Sequence, residues 1–592
     1  MANKNRLWEL DVLKGIAIIA VVLYHANLFK FGYLGVDLFL VINGYLITLS
    51  LLRAGEKKEK FSVLNYIEYL QKRILRLWLP VIVVSIAVMI VGYCTMLPDD
   101  LENLSASTIA TNLFLNNILA RITSKNYWDV TNTFKPLMHT WYLGIIVQFY
   151  VAYIAVFMLT KNVATKNWKR ALKGVVLAFG LCSLVLYLLP SINSYDKFYY
   201  LPFRVFEFMI GAVIALTGVR NISSKKKYGL LSLVGCASIV LMLLPEALIG
   251  ASVRLISVSA LAGVYCFVSK AEADKQISYT LLKPVELMGE ASYSIFIWHQ
   301  PVLALYRYIV RADFIAIDYI ICLLIIIVLS TISYIALEKK PGKILGNNPW
   351  KSTFACCGCL IVICLGCFKL YTQAGVVRDI PELGVDKDNI QRGIWSAYNS
   401  RVYDMDVDFQ NDERIKVLAI GNSYARDWVN ILLEAGYEKD MDITYIYHLN
   451  DSESYIERIQ QADYIFTSFD DRLDELPEYL LRNKKSSTPI YGIGIKRFGN
   501  SNGNIYQRRF DEDYLQQTAK VPDDIYKLYV TEKEMWGEYY IDMITPVLAE
   551  NGQVSVFTPS GKFISQDCHH LTQAGAVYYA DIIDFENIFS RK

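Results

Sequence analysis

The sequence predicts a multi-pass α-helical membrane domain of about eleven spans followed by an α/β three-layer domain outside the membrane. Three observations lead there. The 592-residue chain is 54% hydrophobic, with a positive mean hydropathy, which is too apolar for an ordinary soluble protein. The apolar residues concentrate before residue 372 in runs of roughly 17–23, long enough to cross a hydrocarbon core of about 30 Å. After residue 373, charged and apolar positions interleave as in a water-facing domain.

In chain order, spans are expected at 13–30, 35–52, 78–97, 139–160, 171–189, 201–217, 229–245, 250–268, 292–310, 315–337 and 353–371. Every even-numbered span is followed by a basic loop. These hold Arg53, Lys57, Lys58, Lys60, Lys72, Arg73 and Arg76, then Lys161, Lys166, Lys169 and Arg170, then Arg220 and Lys225 to Lys227, then Lys339, Lys340 and Lys343. The loop before the fourth span is acidic, with Asp99, Asp100 and Glu102. The excess of Lys and Arg on the cytoplasmic side then sets the N-terminus inside and the C-terminal domain outside. No cleavable signal peptide is apparent, since the first run lacks a small-residue cleavage site. Expected boundaries are a ten-helix membrane domain at 1–345, an eleventh helix at 346–372, a linker at 373–412 and the outer domain at 413–592.

The first span carries Asp11, Lys14 and His25. Lys14 and His25 are about three helical turns apart on nearly one face, roughly 16 Å along the axis. Asp11 lies three residues before Lys14, in reach of an ion pair. Ionisable groups on a spanning helix are functional candidates by default. Marking the helix end and bonding to a neighbouring helix are the structural alternatives.

Further segments carry a resemblance. The stretch Leu10 to Gly15 with His25 looks like a basic residue, ten others, then histidine. Gly35 to Phe39 with Asn43-Gly44-Tyr45 follows, then Arg73, Arg76 and Pro80. His139-Thr140-Trp141 with Gln148-Phe149-Tyr150 comes next, then Arg204, Glu207 and Gly211. Ser292-Tyr293-Ser294 with Trp298, His299 and Pro301 is followed by Glu338 and Pro341. Together, in this order, they resemble the membrane acyltransferase-3 family over most of residues 7–341. The family usually has arginine at the position of Lys14 and often glutamate at that of Ile146. Lysine keeps the charge but loses the bidentate fork. The resemblance implies a cytoplasmic acyl donor, most often acetyl-CoA, with no bound cofactor, and acyl transfer at His25. An imidazole can serve there as nucleophile or base near neutral pH. Arg73, Arg76 and Lys72 can hold the donor's diphosphate or act as ordinary cytoplasmic flanking charge. His139 sits in a family signature as a donor or cavity residue. Asp37, Arg204 and Glu207 are expected to form a buried polar network that shapes the donor cavity, in a structural or a catalytic role, and His299 a helix-packing hydrogen bond.

In the outer domain, an apolar strand at 415–420 runs into Gly421-Asn422-Ser423 and a helix to about Leu433, with further strands near 442–448, 462–468 and 488–494. A serine on a strand-to-helix turn is either a cap or an exposed nucleophile. Asp567 and His570, three apart, offer an orienting carboxylate and a base. This set resembles the SGNH (GDSL-type) esterase and acyltransferase family, with Asn422 in place of the usual aspartate. By the family spacing His570 rather than His569 is the base. No clear Gly-x-Asn-Asp block is present; the segment 492–503 reads as a turn-rich surface loop or as the source of an oxyanion donor, Asn502, beside the Ser423 backbone N–H.

Of 11 cysteines, only Cys568 lies in the outer domain. Cys356, Cys357 and Cys359 have metal-like spacing but sit in a span without His or carboxylate nearby, so no metal site is expected. A net charge of +2 without a basic stripe gives no reason to expect nucleic acid. The fused arrangement resembles bacterial O-acetyltransferases of cell-surface glycans, peptidoglycan O-acetyltransferases among them. That implies a bacterial cell membrane location and an extracytoplasmic polysaccharide acceptor. Alternatives are a membrane-anchored acetyl esterase, a transporter or flippase with an accessory esterase, and a non-catalytic receptor.

Overall fold

The computed structural model describes residues 7–57, 60–123, 132–218, 221–273, 280–339, 349–387, 394–411, 413–447, 449, 452–468 and 478–590. Lys58, Arg220, Lys340, Pro341 and Lys343, which entered the sequence reading, lie outside them. The chain divides into two compact units. The first comprises 1–94, 103–307 and 313–368, and the second 95–102, 308–312 and 369–592.

The first unit is helical. Its helices are α1 (Trp8–His25), α2 (Gly35–Glu56), α3 (Val63–Thr95), α4 (Pro98–Asn112), α5 (Asn116–Thr123), α6 (Trp141–Ala164), α7 (Trp168–Leu188), α8 (Ser194–Tyr199), α9 (Val205–Leu216), α10 (Ser224–Leu243), α11 (Ala251–Lys270), α12 (Lys283–Glu290), α13 (Ser292–Ile309), α14 (Ala316–Ser333) and α15 (Pro349–Thr372). The last turn of α3, the start of α4, the end of α13 and the end of α15 belong to the second unit. Each expected span falls on a helix. Among the described residues, eight helices are long and apolar enough to cross a membrane: α2, α3, α6, α7, α10, α11, α14 and α15. The other three are α1 and α13, of 18 residues each, and α9, of 12. Those are the helices that carry His25, His299 and Glu207, because polar side chains displace apolar ones there.

Burial separates inner from outer helices. Helix α2 is the inner one, with Leu38, Leu40, Val41 and Tyr45 fully buried. By contrast α7, α14 and α15 expose Leu181, Ile332 and Val362, the composition a lipid-facing surface requires. Helices α2 and α9 cross backbone to backbone. A Cβ on Gly44 would lie 1.9 Å from the Phe208 carbonyl oxygen, and one on Gly211 2.0 Å from that of Val41. Small residues permit such an approach.

The second unit holds a five-stranded parallel sheet of β1 (Ile415–Gly421), β2 (Met441–Ile446), β3 (Tyr464–Ser468), β4 (Ile490–Ile493) and β5 (Tyr540–Ile541), in the order β2-β1-β3-β4-β5. Four of these are the strands read from the sequence. The two-residue β5 was missed because its run is too short to show a period. Helices include α16 (Ile394–Tyr403), α17 (Ser423–Glu434) and α18 (Gln573–Ile582). Buried Leu418, Ile420, Ile446, Ile459 and Ile465 pack one core cluster of this unit, and both faces of β1 are buried, as its continuous apolar run implies. The segment expected as a linker packs onto the unit that follows. Arg458 donates to Asp406 at 2.5 Å and to the Val407 carbonyl at 2.9 Å, and Phe563 N–H donates to the Glu382 carbonyl at 2.8 Å.

Gly211→Leu is expected to destabilise the first unit by about 1–3 kcal/mol through overpacking. The check is the thermal unfolding midpoint of the detergent-purified chain. Gly174→Leu on α7, where an added Cβ meets nothing within 4 Å, should leave the midpoint unchanged.

Candidate active sites

In the first unit, α1, α2, α3, α6, α12, α13 and Glu338 enclose a cavity of about 190 Å³ lined by Lys14, Arg73 and Arg76 together with Asn43, Tyr142 and Glu338. Three cations from two sequence motifs thus converge on one space. Lys14 Nζ pairs with Asp11 Oδ1 at 3.1 Å, and Arg73 Nη2 donates to Tyr69 Oη at 3.1 Å. The Ser294 hydroxyl donates to Glu338. Asn43 sits between two tyrosines: its Nδ2 donates to Tyr142 Oη at 3.0 Å, and Tyr150 Oη donates to its Oδ1 at 3.1 Å. Ile146 also lines the cavity and makes its wall apolar at that position.

His25 is not among the lining residues. It ends α1, where Arg307 Nη2 donates to its carbonyl at 2.8 Å. The His25 and His299 ring centroids are 5.1 Å apart, and those of His139 and His299 also 5.1 Å. The His299 Nδ1 lies 2.7 Å from the Phe296 carbonyl oxygen. A carbonyl only accepts, so Nδ1 carries the proton and Nε2 presents its lone pair. The bond stays within α13, three residues back, rather than joining two helices as expected for His299, and the three rings form a histidine cluster that no local motif signals. Phe296 lines the cavity and also packs on His139 at 5.0 Å and His299 at 5.7 Å, so one ring borders both.

Asp37, Arg204 and Glu207 form a separate buried cluster. Arg204 Nη2 meets Asp37 Oδ1 at 2.6 Å and its Nη1 meets Glu207 Oε1 at 3.2 Å. None of the three lines the cavity. The buried network expected of these three is present: the arginine joins α2 to the start of α9 and pairs with both acidic side chains.

In the second unit, β1 leads into α17 through a turn that only glycine fits. Gly421 has φ +130°, and a Cβ there would lie 1.9 Å from the Ser468 carbonyl oxygen. Asn422 caps α17, its Oδ1 accepting from Tyr424 N–H at 2.8 Å and from the Ser468 hydroxyl at 3.1 Å. This is the physical use of the asparagine at that position. Tyr445 Oη donates to the Gly421 carbonyl at 2.9 Å, bracing the turn from β2. Ser423 thereby stands at the C-terminal edge of β1, where the neighbouring strands β2 and β3 diverge, the usual ligand position in an open parallel sheet.

The loop before α18 meets it there. Ser423 Oγ is 3.0 Å from His570 Nε2, and His570 Nδ1 is 2.6 Å from Asp567 Oδ2. Asp567 Oδ1 accepts the backbone N–H groups of His569 at 3.0 Å and His570 at 2.8 Å. Burial pushes the Asp567 carboxyl up, but the His570 ring and these N–H groups outweigh it, so it lies below the ordinary aspartate value. His570 Nδ1 therefore donates to a carboxylate, leaving Nε2 to face the serine.

His569 has a different setting. Its Nδ1 accepts from Arg497 Nη1 at 3.0 Å. Burial, then the guanidinium, hold it down to about 2, so it is neutral at any working pH. The oxyanion role expected of Asn502 is corrected as well. Its Nδ2 donates to the Ser565 carbonyl at 2.7 Å and the Gln566 carbonyl at 3.1 Å, which uses both amide hydrogens to shape the loop that carries Asp567 and His570. Asp427, Lys496 and Arg497 were not singled out in the sequence. A charged pair inside an otherwise apolar helix face, as at Arg426-Asp427, is the signal that could have found the first.

The family model described as "Acyltransferase domain" matches residues 7–338. Among curated proteins, a peptidoglycan O-acetyltransferase OatA of Listeria monocytogenes is 29% identical over 312 residues, 50% of this chain and 49% of that protein. An O-acetyltransferase OatA of Staphylococcus aureus is 25% identical over 358 residues, 58% of each chain. A putative O-acetyltransferase of the same species is 25% identical over 367 residues, 58% of this chain and 59% of that one. The matched stretches thus span only about half to three-fifths of these relatives. No solved structure matches.

The depressed Asp567 sets a pH dependence. A carboxyl whose folded pKa lies below its unfolded value of about 3.9 stabilises fully above that value and loses the effect as pH falls through the folded one. Asp567→Asn is therefore expected to be less stable than wild type above about pH 4. The deficit should shrink with acidification, read as the unfolding midpoint of the full chain across pH.

Proposed function

Because the chain belongs to the acyltransferase family whose domain model covers residues 7–338, we propose that it carries an acetyl group from cytoplasmic acetyl-CoA to a hydroxyl of a cell-surface glycan, peptidoglycan first among them. The observation that carries the reading is the Ser423–His570–Asp567 relay on the same chain as the acyltransferase domain. The names of the relatives support the acceptor class. Three further helices, α1, α9 and α13, would bring the eight apolar ones to eleven. With basic loops after the even spans, that puts the N-terminus in the cytoplasm and the SGNH-like unit outside.

On this reading the Lys14, Arg73 and Arg76 cavity receives the anionic part of the donor through charge-assisted hydrogen bonds. The unprotonated ring nitrogen of His25 attacks the thioester carbonyl carbon, the C–S bond breaks, and the thiolate leaves with the proton that the acylated ring gives up from its other nitrogen. Outside, Ser423 Oγ attacks the acyl carbonyl carbon while His570 Nε2 takes its proton, and Asp567 steadies the imidazolium. The carbonyl oxygen gains its charge beside the Ser423 backbone N–H, at the positive end of α17. As the leaving group departs it takes the proton from His570. A glycan hydroxyl then gives its proton to His570 Nε2 as it attacks the ester, and Ser423 recovers that proton when the product leaves.

Labelled acetyl-CoA supplied on the cytoplasmic side of membrane vesicles, with peptidoglycan fragments outside, tests this. Wild type should ester-label the glycan. His25→Ala and Ser423→Ala should each abolish labelling. Equal labelling by His25→Ala sinks the membrane step, and release of free acetate alone identifies a hydrolase. Arg73→Gln should raise the KM for acetyl-CoA roughly tenfold, the loss of one hydrogen bond to a charged group.

A further inference from the structure

Ser423 and His570 come from opposite ends of the second unit's sequence, and their 3.0 Å contact is exposed to any slippage between α17 and the catalytic loop. Two consecutive residues after β4 touch both sides. Lys496 Nζ lies 3.0 Å from Asp427 Oδ2, one turn along α17 from Ser423. It also stands 3.7 Å above the ring of Tyr424, whose hydroxyl donates to the Lys496 carbonyl at 3.1 Å. Arg497, next in sequence, donates from Nη1 to His569 Nδ1 at 3.0 Å and from Nε to the Gly499 carbonyl at 2.6 Å. Phe498 N–H then donates to the Cys568 carbonyl at 2.9 Å.

Asp427 closes the circuit from the other side. Its Oδ2 accepts Leu571 N–H, the amide directly after His570, at 3.0 Å, and its Oδ1 pairs with Arg426 at 2.9 Å. Lys496 and Asp427 are 0% and 1% exposed at their side chains. A charge pair so deeply buried is a costly way to gain stability, whereas it fixes geometry closely because neither partner has water to turn to.

We propose that Lys496, Arg497 and Asp427 are positioning residues that set the Ser423–His570 contact. Lys496 holds the nucleophile's helix, Arg497 holds the base's loop through His569, and Asp427 ties the two. Arg497 also occupies the His569 lone pair, so that His570 alone is offered to the serine. This rests on the reading of Ser423 as a nucleophile.

The test is steady-state hydrolysis of p-nitrophenyl acetate by the detergent-purified full chain, alongside the thermal midpoint of each variant. None of the three residues touches so small an ester. Arg497→Met and Lys496→Met should therefore lower kcat about tenfold or more, as misplacement of reacting groups does, with KM within about twofold. Arg497→Lys, which keeps one cationic donor for His569, should recover most of the loss. In a double-mutant cycle, Asp427→Asn with Lys496→Met should be far less than additive, since both cut one tie. Arg497→Met folded with kcat within about twofold of wild type, or a loss carried by KM, overturns the proposal. If Lys496→Met fails to fold, Arg497→Met with its lysine counterpart decides alone. Ser423→Ala separates the two levels. If it leaves hydrolysis intact, the nucleophile reading fails and this proposal with it. If it abolishes hydrolysis while Arg497→Met does not matter, only the positioning role is lost.

Discussion

The reactive groups of this chain are held where water is scarce, and a polar group so placed must find its partners within the protein. That constraint organises both units. In the first it gathers Arg204 between Asp37 and Glu207, and it puts Arg307 on the last turn of α1. In the second it gathers Lys496 and Arg426 around Asp427. Burial pushes the Lys496 ammonium down to about 8 against the pull of Asp427. Two cations and the Leu571 N–H outweigh burial at Asp427 and keep it a carboxylate. Each cluster joins segments distant in sequence, so each also fixes where the chain can put a catalytic side chain.

Within the helical unit, polarity and apolarity divide the work. Lipid-facing helices such as α14 and α15 are apolar on nearly all sides, while α1, α9 and α13 give up apolar surface to carry charged and imidazole groups. The cavity with Lys14, Arg73 and Arg76 and the cluster of His25, His139 and His299 are adjacent but distinct. Phe296 borders both.

The second unit shows how a turn and a helix terminus prepare a hydroxyl. Gly421 supplies a conformation closed to other residues, Asn422 caps α17, and the serine that follows has a backbone N–H and the helix dipole beside it. The loop carrying Asp567 and His570 is shaped in turn by Asn502, whose amide bonds to two of its carbonyls. The asparagine that the motif pattern offered as an oxyanion donor is thus part of the scaffold.

Much of this was legible in the residues. Runs of apolar side chains mark the helices, because membrane thickness fixes their length. The order strand, Gly-Asn-Ser, helix marks the nucleophile's turn, because local backbone geometry demands it. Asp567 and His570 are three apart and so pair within one loop. Local chemistry determined these things. It could not determine which distant groups meet: that Lys14, Arg73 and Arg76 line one cavity, that His299 packs against both His25 and His139, or that Asp427 bonds to both Lys496 and the Leu571 N–H. Nor could it tell that Asn502 turns toward 565–566, or that Arg204 pairs with both Asp37 and Glu207. Those outcomes are set by long-range packing, where a buried charge or amide takes whichever partner the fold brings within hydrogen-bond reach, and sequence spacing carries no record of that distance.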